Sequence, residues 1–231
     1  MADTFEAWIN PLQWIAADLS GQKSGESPDE LSLLRFLANP SEDHSLEMAI
    51  RRYAAINEAK ERVFVAPNHQ AFLQKLVWPL RSAKSSFVIG NFISTIAQCG
   101  MVAEMVTLLW SEISQFTING SHLTDREASQ LFGSAFERLG QERRVNILRA
   151  FGVIDDEQFS HFDQVRLIRR RYLHFLSQSH DSIEDDSLTA FHSSVLLVAR
   201  LMSIAFQDGR VSLRPALMRY VEGRVTESSP S

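Results

Sequence analysis

One stretch limits what this chain can become. From Phe87 to Trp110, FVIGNFISTIAQCGMVAEMVTLLW, Glu104 is the only charged residue. A segment this long and this apolar must bury most of its surface, either as the central helix of a bundle or as a bilayer span. Asn91, Ser94, Thr95, Gln98 and Glu104 interrupt it, and the cost of an acid facing lipid decides for the buried core helix. The expected helix runs from about Ser85 to Phe116, bends at Gly90 or Gly100, and stops at Asn119-Gly120. Ser94, Ala97 and the two glycines leave little side chain on part of its surface, so another helix can approach closely there.

The rest of the chain supplies helices to cover it. Asp3 or Thr4 caps a helix from Phe5 to Leu19 carrying Trp8, Leu12, Trp14 and Ile15, with a kink at Pro11. Ser27-Pro28-Asp29-Glu30 is a capping box with proline at the first helical position, and its short helix ends before Asn39-Pro40. Ser41 to about Val65 follows, with Leu46, Ala49, Ile50, Tyr53 and Ile56 along one side and Arg51, Arg52, Glu58 and Arg62 largely elsewhere. A short helix from His69 to Trp78 is expected to end at Pro79. Thr124-Asp125-Arg126-Glu127 is a second capping box, opening a helix to about Leu139, and Gln141 to Phe151 is a basic helix closed by Gly152. A nearly all-apolar helix spans about Ser187 to Phe206, striped by Leu188, Phe191, Val195, Val198, Met202 and Ala205, and Asp208-Gly209 ends it. A short helix from Arg214 to Glu222 completes the fold. No segment carries a convincing strand pattern. The expectation is an all-α helical bundle, divided into an N-terminal helical segment (1–66), an up-and-down bundle (67–224) and a disordered tail (225–231), with the first two able to pack as one domain.

Composition fits a globular chain: 231 residues, 45% hydrophobic and 22% charged. Such a chain buries roughly 70–75% of its unfolded surface. A formal charge of −5 gives no global attraction to nucleic acid or an anionic membrane, so either partner would need a local basic patch. The single cysteine, Cys99, excludes an intrachain disulfide framework and suits a reducing compartment. MADTFEAWINPLQW lacks the basic start and long apolar core of a signal peptide. A cytoplasmic protein is expected.

One helix holds a basic patch. In Asp155 to Ser177, DDEQFSHFDQVRLIRRRYLHFLS, three acids occupy the start, where the helix dipole favours them, and Arg169, Arg170, Arg171 and His174 crowd the end. At about 100° per residue, Phe162, Val165, Ile168, Tyr172 and Leu176 share one face, while Asp163, Arg166, Arg170 and His174 share the opposite one. Asp163 can pair with Arg166. Arg169 breaks the pattern, projecting within the apolar stripe. Three outcomes are open to it: snorkelling to solvent, pairing with Glu104 or another core acid, or facing a subunit interface. Arg143, Arg144 and Arg149 extend the basic region, which suits a phosphate-bearing partner.

QERRVNILRAFGVIDDEQFSHFDQVRLIRRRYLHFL resembles the signature region of HEPN domains, nearest to their mannitol-repressor-like branch. A short helix, a hydrophobic break with glycine (Ala150-Phe151-Gly152-Val153-Ile154), acids, and a helix ending in arginine, four residues and histidine make the likeness, which covers about Thr124 to Phe206. The resemblance implies a four- or five-helix bundle, a homodimer with the motif in a shared cleft, and a metal-independent endoribonuclease using the RNA 2′-hydroxyl as nucleophile. Arg169 would hold the scissile phosphate and His174 would exchange the proton, with Arg166, Arg170 and Arg171 lining the substrate path. The triple arginine leaves the register open, since Arg170 stands at i, i+4 from His174. A toxin or defence component is one implied role. A non-catalytic antitoxin, transcriptional regulator or protein-binding adaptor on the same scaffold is the other.

No metal or other cofactor is expected: His161, His174, His180 and His192 lack helix-spaced pairs and cysteine partners. No glycine-rich phosphate loop or serine elbow is present in the sequence. Cys99 reads as a small core residue. Trp8, Trp14, Trp78 and Trp110 read as core.

Overall fold

The charge-poor stretch forms α3 (Phe92–Ile113) in a computed structural model that describes residues 46–57, 70–114, 116–118, 120–174, 181–207 and 210–220. Before it come α1 (Leu46–Asn57) and α2 (Gln70–Val88); after it come α4 (Asp125–Phe132), α5 (Gln141–Ala150), α6 (Asp156–His174), α7 (Ile183–Met202) and a short helix at 215–220. The helices expected at 5–19 and 28–38, and the tail at 225–231, lie outside the described residues. α3 is the hub: α2, α7, α6 and α5 all pack on it. It is long and apolar enough to cross a membrane, and 56% of its most apolar window is buried among its neighbours. The chain is an all-α bundle.

The expected long helix is two helices. Gly90 adopts φ 80°, a left-handed conformation that glycine takes without steric cost, and Asn91 then caps α3 by accepting from the Ser94 N–H at 3.1 Å. The glycine marks a full turn where a bend was expected. Upstream, α2 runs straight through Pro79 and does not end there. Proline removes one ladder bond and costs roughly 3 kcal/mol in a helix interior; burial of Ala83 and Phe87 beyond it offsets that loss.

Phe87, Phe92, Ile96, Trp110, Leu148, Phe162, Val165, Leu197 and Leu201 form the centre of the core. Of the apolar face read for the basic helix, Phe162, Val165, Ile168 and Tyr172 are buried, and Leu176 lies outside the described residues. α1 departs from its reading. Arg52 is only 2% exposed and Ile56 is buried, while Leu46, Ile50 and Tyr53 face out. Trp78 also departs: it is 73% exposed, whereas Trp110 is core.

Local signals near the C-terminal half hold well. The Thr124 hydroxyl accepts from the Glu127 N–H while the Glu127 carboxylate accepts from the Thr124 N–H, closing the capping box of α4. α4 is shorter than expected because Gly133 (φ 75°) stops it, and a 3-10 turn (Phe136–Arg138) follows. Phe116, Phe132, Phe136 and Phe151 meet there with ring centroids 5.1–6.3 Å apart, a satellite aromatic cluster that ties this end to α5. Gly152 (φ 66°) closes α5.

Two short antiparallel ribbons were not foreseen: β1 (Thr117–Ile118) with β2 (Ser121–His122), and β3 (Ser203–Gln207) with β4 (Arg210–Leu213). The second takes residues expected to prolong α7. Arg210-Val211-Ser212-Leu213 alternates in polarity, and Asp208-Gly209 before it is a two-residue hairpin signal that competes with the helical period. Arg214 then stacks its guanidinium 4.4 Å above the Trp110 ring, and burial lowers its pKa.

Candidate functional site

α6 begins with a reciprocal cap. The Gln158 N–H donates to Asp155 Oδ1 at 2.8 Å, and the Asp155 N–H donates to Gln158 Oε1 at 3.0 Å. From that start the helix continues unbroken to His174 and presents a different side to each of three neighbours.

The side towards α3 carries Arg169. Its aliphatic stem lies directly across Gly100, where an added Cβ would overlap Arg169 Cδ and stand 3.0 Å from Nε. Only glycine admits that stem. Beyond it, Arg169 Nη1 donates to Glu104 Oε1, one helical turn along α3. The two side chains remain 32% and 38% exposed, so the pair sits at the edge of the helix interface. Nε is buried without a hydrogen-bond partner because the stem is pressed against α3. Of the three outcomes open to Arg169, pairing with Glu104 is the one observed, and the close approach read from the small residues of α3 is made by this arginine.

The side towards α5 carries Arg166. It donates to Asp163 through Nε at 3.0 Å and through Nη2 at 2.6 Å, and to Glu142 through Nη1 at 3.1 Å. The Asp163 pairing follows the helix spacing; the Glu142 contact crosses to α5. Val145, Phe159 and Phe162 floor an open cleft of about 250 Å³ beside this group. Arg149, outside the cleft lining, stands 4.3 Å above the Phe159 ring and 2.9 Å from Asp156.

The side towards α7 carries Arg171 and Tyr172, which converge on Asp186. Arg171 Nη1 donates at 2.7 Å, the Tyr172 hydroxyl at 2.6 Å and the Ser182 hydroxyl at 3.2 Å. Its hydrogen bond with Tyr172 and the charge of Asp186 raise the pKa of Arg171. Burial, with the bond to Asp186, raises that of Tyr172. Further up the same side, His161 Nδ1 stands 3.3 Å from Ser193 Oγ, which donates to Gln164 Oε1 at 2.8 Å. Ser193 is buried and its proton is already engaged, so this group fastens α6 to α7 and offers no nucleophile.

Arg170 is exposed on the outer side of α6. His174 is the helix's last residue, and its side chain lies outside the described part of the structure. By register it falls about 140° around the helix from Arg169 but only about 40° from Arg170. The helix therefore groups Arg170 with His174 and separates both from Arg169. Glu142 and Asp186 went unread in the sequence, since each lies on another helix and pairs with an arginine only through the tertiary fold. Among the described residues, no three His, Cys, Asp or Glu side chains converge as a metal site. Comparison with protein-family models, curated proteins and solved structures returns no match for this chain.

Proposed function

We propose that this chain is a HEPN-like helical bundle working as a non-catalytic regulatory or protein-binding module, cytoplasmic and homodimeric, of the antitoxin, transcriptional-regulator or adaptor kind. The observation that carries this reading is the closure of Arg169 on Glu104 across Gly100. An arginine that clamps a scissile phosphate must present its charge to the ligand. Here a phosphate oxygen would have to displace a carboxylate that already holds the guanidinium, and leave that acid uncompensated at the edge of a helix interface. Arg166 and Arg171 point the same way, Arg166 held by Asp163 of its own helix and Glu142 of α5, and Arg171 by Asp186 of α7. In this reading the basic run fastens α6 to α3, α5 and α7, and the exposed apolar residues of α3 provide a surface for a second copy.

A second reading has its own support. Arg170 and His174 share one side of α6 at i, i+4, the spacing at which two side chains of a helix meet. On that register the pair would act in metal-independent RNA cleavage, with Arg170 holding the phosphate and His174 moving the proton of the 2′-hydroxyl. One assay separates the two readings: incubation of structured and single-stranded RNA with wild type and His174→Ala in EDTA. The module reading expects no cleavage above background by either protein. Cleavage by wild type that is lost in His174→Ala, while RNA binding persists, overturns it in favour of the endoribonuclease.

A further inference from the structure

We propose that the cleft between α5 and α6 is a subsite for one lysine side chain of a partner protein. Two helix faces meet there: Glu142, Val145 and Asn146 line it from α5, and Phe159, Asp163 and Arg166 line it from α6. Val145 is buried with Phe162 at the base, Phe159 is half-buried, and Asn146 is exposed at the rim. The result is an apolar trough edged by polar groups, about 250 Å³ in volume. Sites for drug-sized ligands run to about 300–1,000 Å³, so this one suits a single side chain.

Charge selects the occupant. Arg166 donates to Asp163 Oδ1 and to Glu142 Oε2, so one guanidinium faces two carboxylates and the cleft keeps a negative charge. Asp163 Oδ2, Glu142 Oε1 and the Asn146 carboxamide have no hydrogen-bond partner among the described residues. The Glu142 and Asp163 side chains are 65% and 36% exposed, so neither acid is sealed away from a ligand. Arg149 lies outside the lining, stacked on Phe159 and met by Asp156 at 2.9 Å, so it neither fills the cleft nor reverses its charge. A phosphate would meet like charge here, and a cation finds the complement. Lysine matches the rest of the site. Its four-carbon stem can lie along the apolar floor, and its ammonium has three donors for the three open acceptors. The planar fork of arginine suits a single carboxylate instead. The inference rests on the protein-binding reading, yet the two fail separately: peptide recognition is measured without RNA, and RNA cleavage without peptide.

The test titrates the isotope-labelled full-length chain with blocked alanine pentapeptides carrying lysine, norleucine or glutamate at the centre. The lysine peptide is expected to move the amide resonances of Val145, Asn146 and Asp163 with a dissociation constant of about 1–10 mM. Norleucine keeps the stem and loses the charge, and it and glutamate should bind at least about tenfold more weakly. Asn146→Lys puts a tethered ammonium at the rim, at i+4 from Glu142, and should abolish the response, while Asn146→Ala keeps most of it. Both changes are at an exposed helix position, where substitutions scarcely disturb folding. Glu142→Gln combined with Asp163→Asn leaves Arg166 alone, and the preference should reverse towards the glutamate peptide. Equal responses to lysine and norleucine, no response to any peptide, or an Asn146→Lys variant that binds like wild type would overturn the proposal. So would a folded double variant that still prefers lysine. Putrescine binding more tightly than the lysine peptide would assign the cleft to a free polyamine and overturn it as well.

Discussion

Arg169 and Gly100 make a pair whose energetics can be separated by mutation. Alanine is favoured over glycine inside a helix by about 1 kcal/mol, but at position 100 its methyl would strike the Arg169 stem and force it off Glu104. The expectation is that Gly100→Ala leaves stability unchanged or lowered in the wild-type background. In an Arg169→Ala background the same change should stabilise by about 1 kcal/mol, because the obstacle is gone. Urea unfolding of the four proteins measures this coupling, and an equal effect of Gly100→Ala in both backgrounds would show that the stem does not rest there. Cys99, one residue away, gives a second residue-scale expectation. Burial pushes its thiol up to about 12, so almost no thiolate exists near neutrality and no reagent reaches the sulfur. Native protein at pH 8 should fail to react with an aromatic disulfide reagent over a period in which the urea-unfolded chain reacts completely; prompt labelling of the native form would contradict this burial.

Elements were legible where their signals are local. The Thr124–Glu127 box, Gly152 as a helix stop and the acids opening α6 are short-range devices that work through the backbone groups of one turn, and each stands where its residues placed it. The box has a measurable consequence. The N–H and hydroxyl of Thr124 donate to the Glu127 carboxylate and hold its pKa below the ordinary value. Because the folded-state pKa is the lower one, the contribution to α4 is complete above the unfolded pKa and is lost as pH falls through the folded value. The Glu127 carboxyl resonance should therefore titrate below the ordinary glutamate value, and its midpoint should return towards that value in Thr124→Ala; a midpoint unmoved by the substitution would mean that the box does not form in solution. The elements that escaped reading are those decided by tertiary context. α2 passes through Pro79 because the bundle buries Ala83 and Phe87 in the turns after it, and α7 yields at Met202 to a hairpin, just beyond which Arg214 stacks on Trp110. α1 turns its arginine inward because Phe92 and Glu184 together accept a guanidinium, which no periodicity within α1 announces.

At the scale of the whole molecule, the all-α class followed from apolar periodicity, and the centrality of α3 followed from its lack of charge. Which side of α3 its neighbours would leave open did not, since that depends on how many helices reach it. α2, α7, α6 and α5 cover most of its circumference, yet Ile93 and Met101 remain 39% and 45% exposed, with Ala97 and Leu108 partly covered in the same line. Glu104, held by Arg169, is the one charged residue within 93–108 on this side; Glu112 stands one turn beyond Leu108, its carboxylate accepting from the Tyr220 hydroxyl. An apolar line about 22 Å long, at a helical rise of about 1.5 Å per residue, with its single acid already neutralised, is suited to a facing copy of itself packed as a two-helix seam. On the proposed homodimer, sedimentation equilibrium of wild type at tens of micromolar should give a mass of two chains. Met101→Lys should shift it to one, because two lysines would meet near the two-fold axis with no acid left to pair them. The substitution adds charge at an already exposed site, so helix content and the unfolding midpoint of the separated chain should hardly move. A wild type that sediments as a single chain, or a Met101→Lys variant that keeps the wild-type mass, would remove α3 as the subunit face and leave the Arg169–Glu104 pair as a contact internal to one chain.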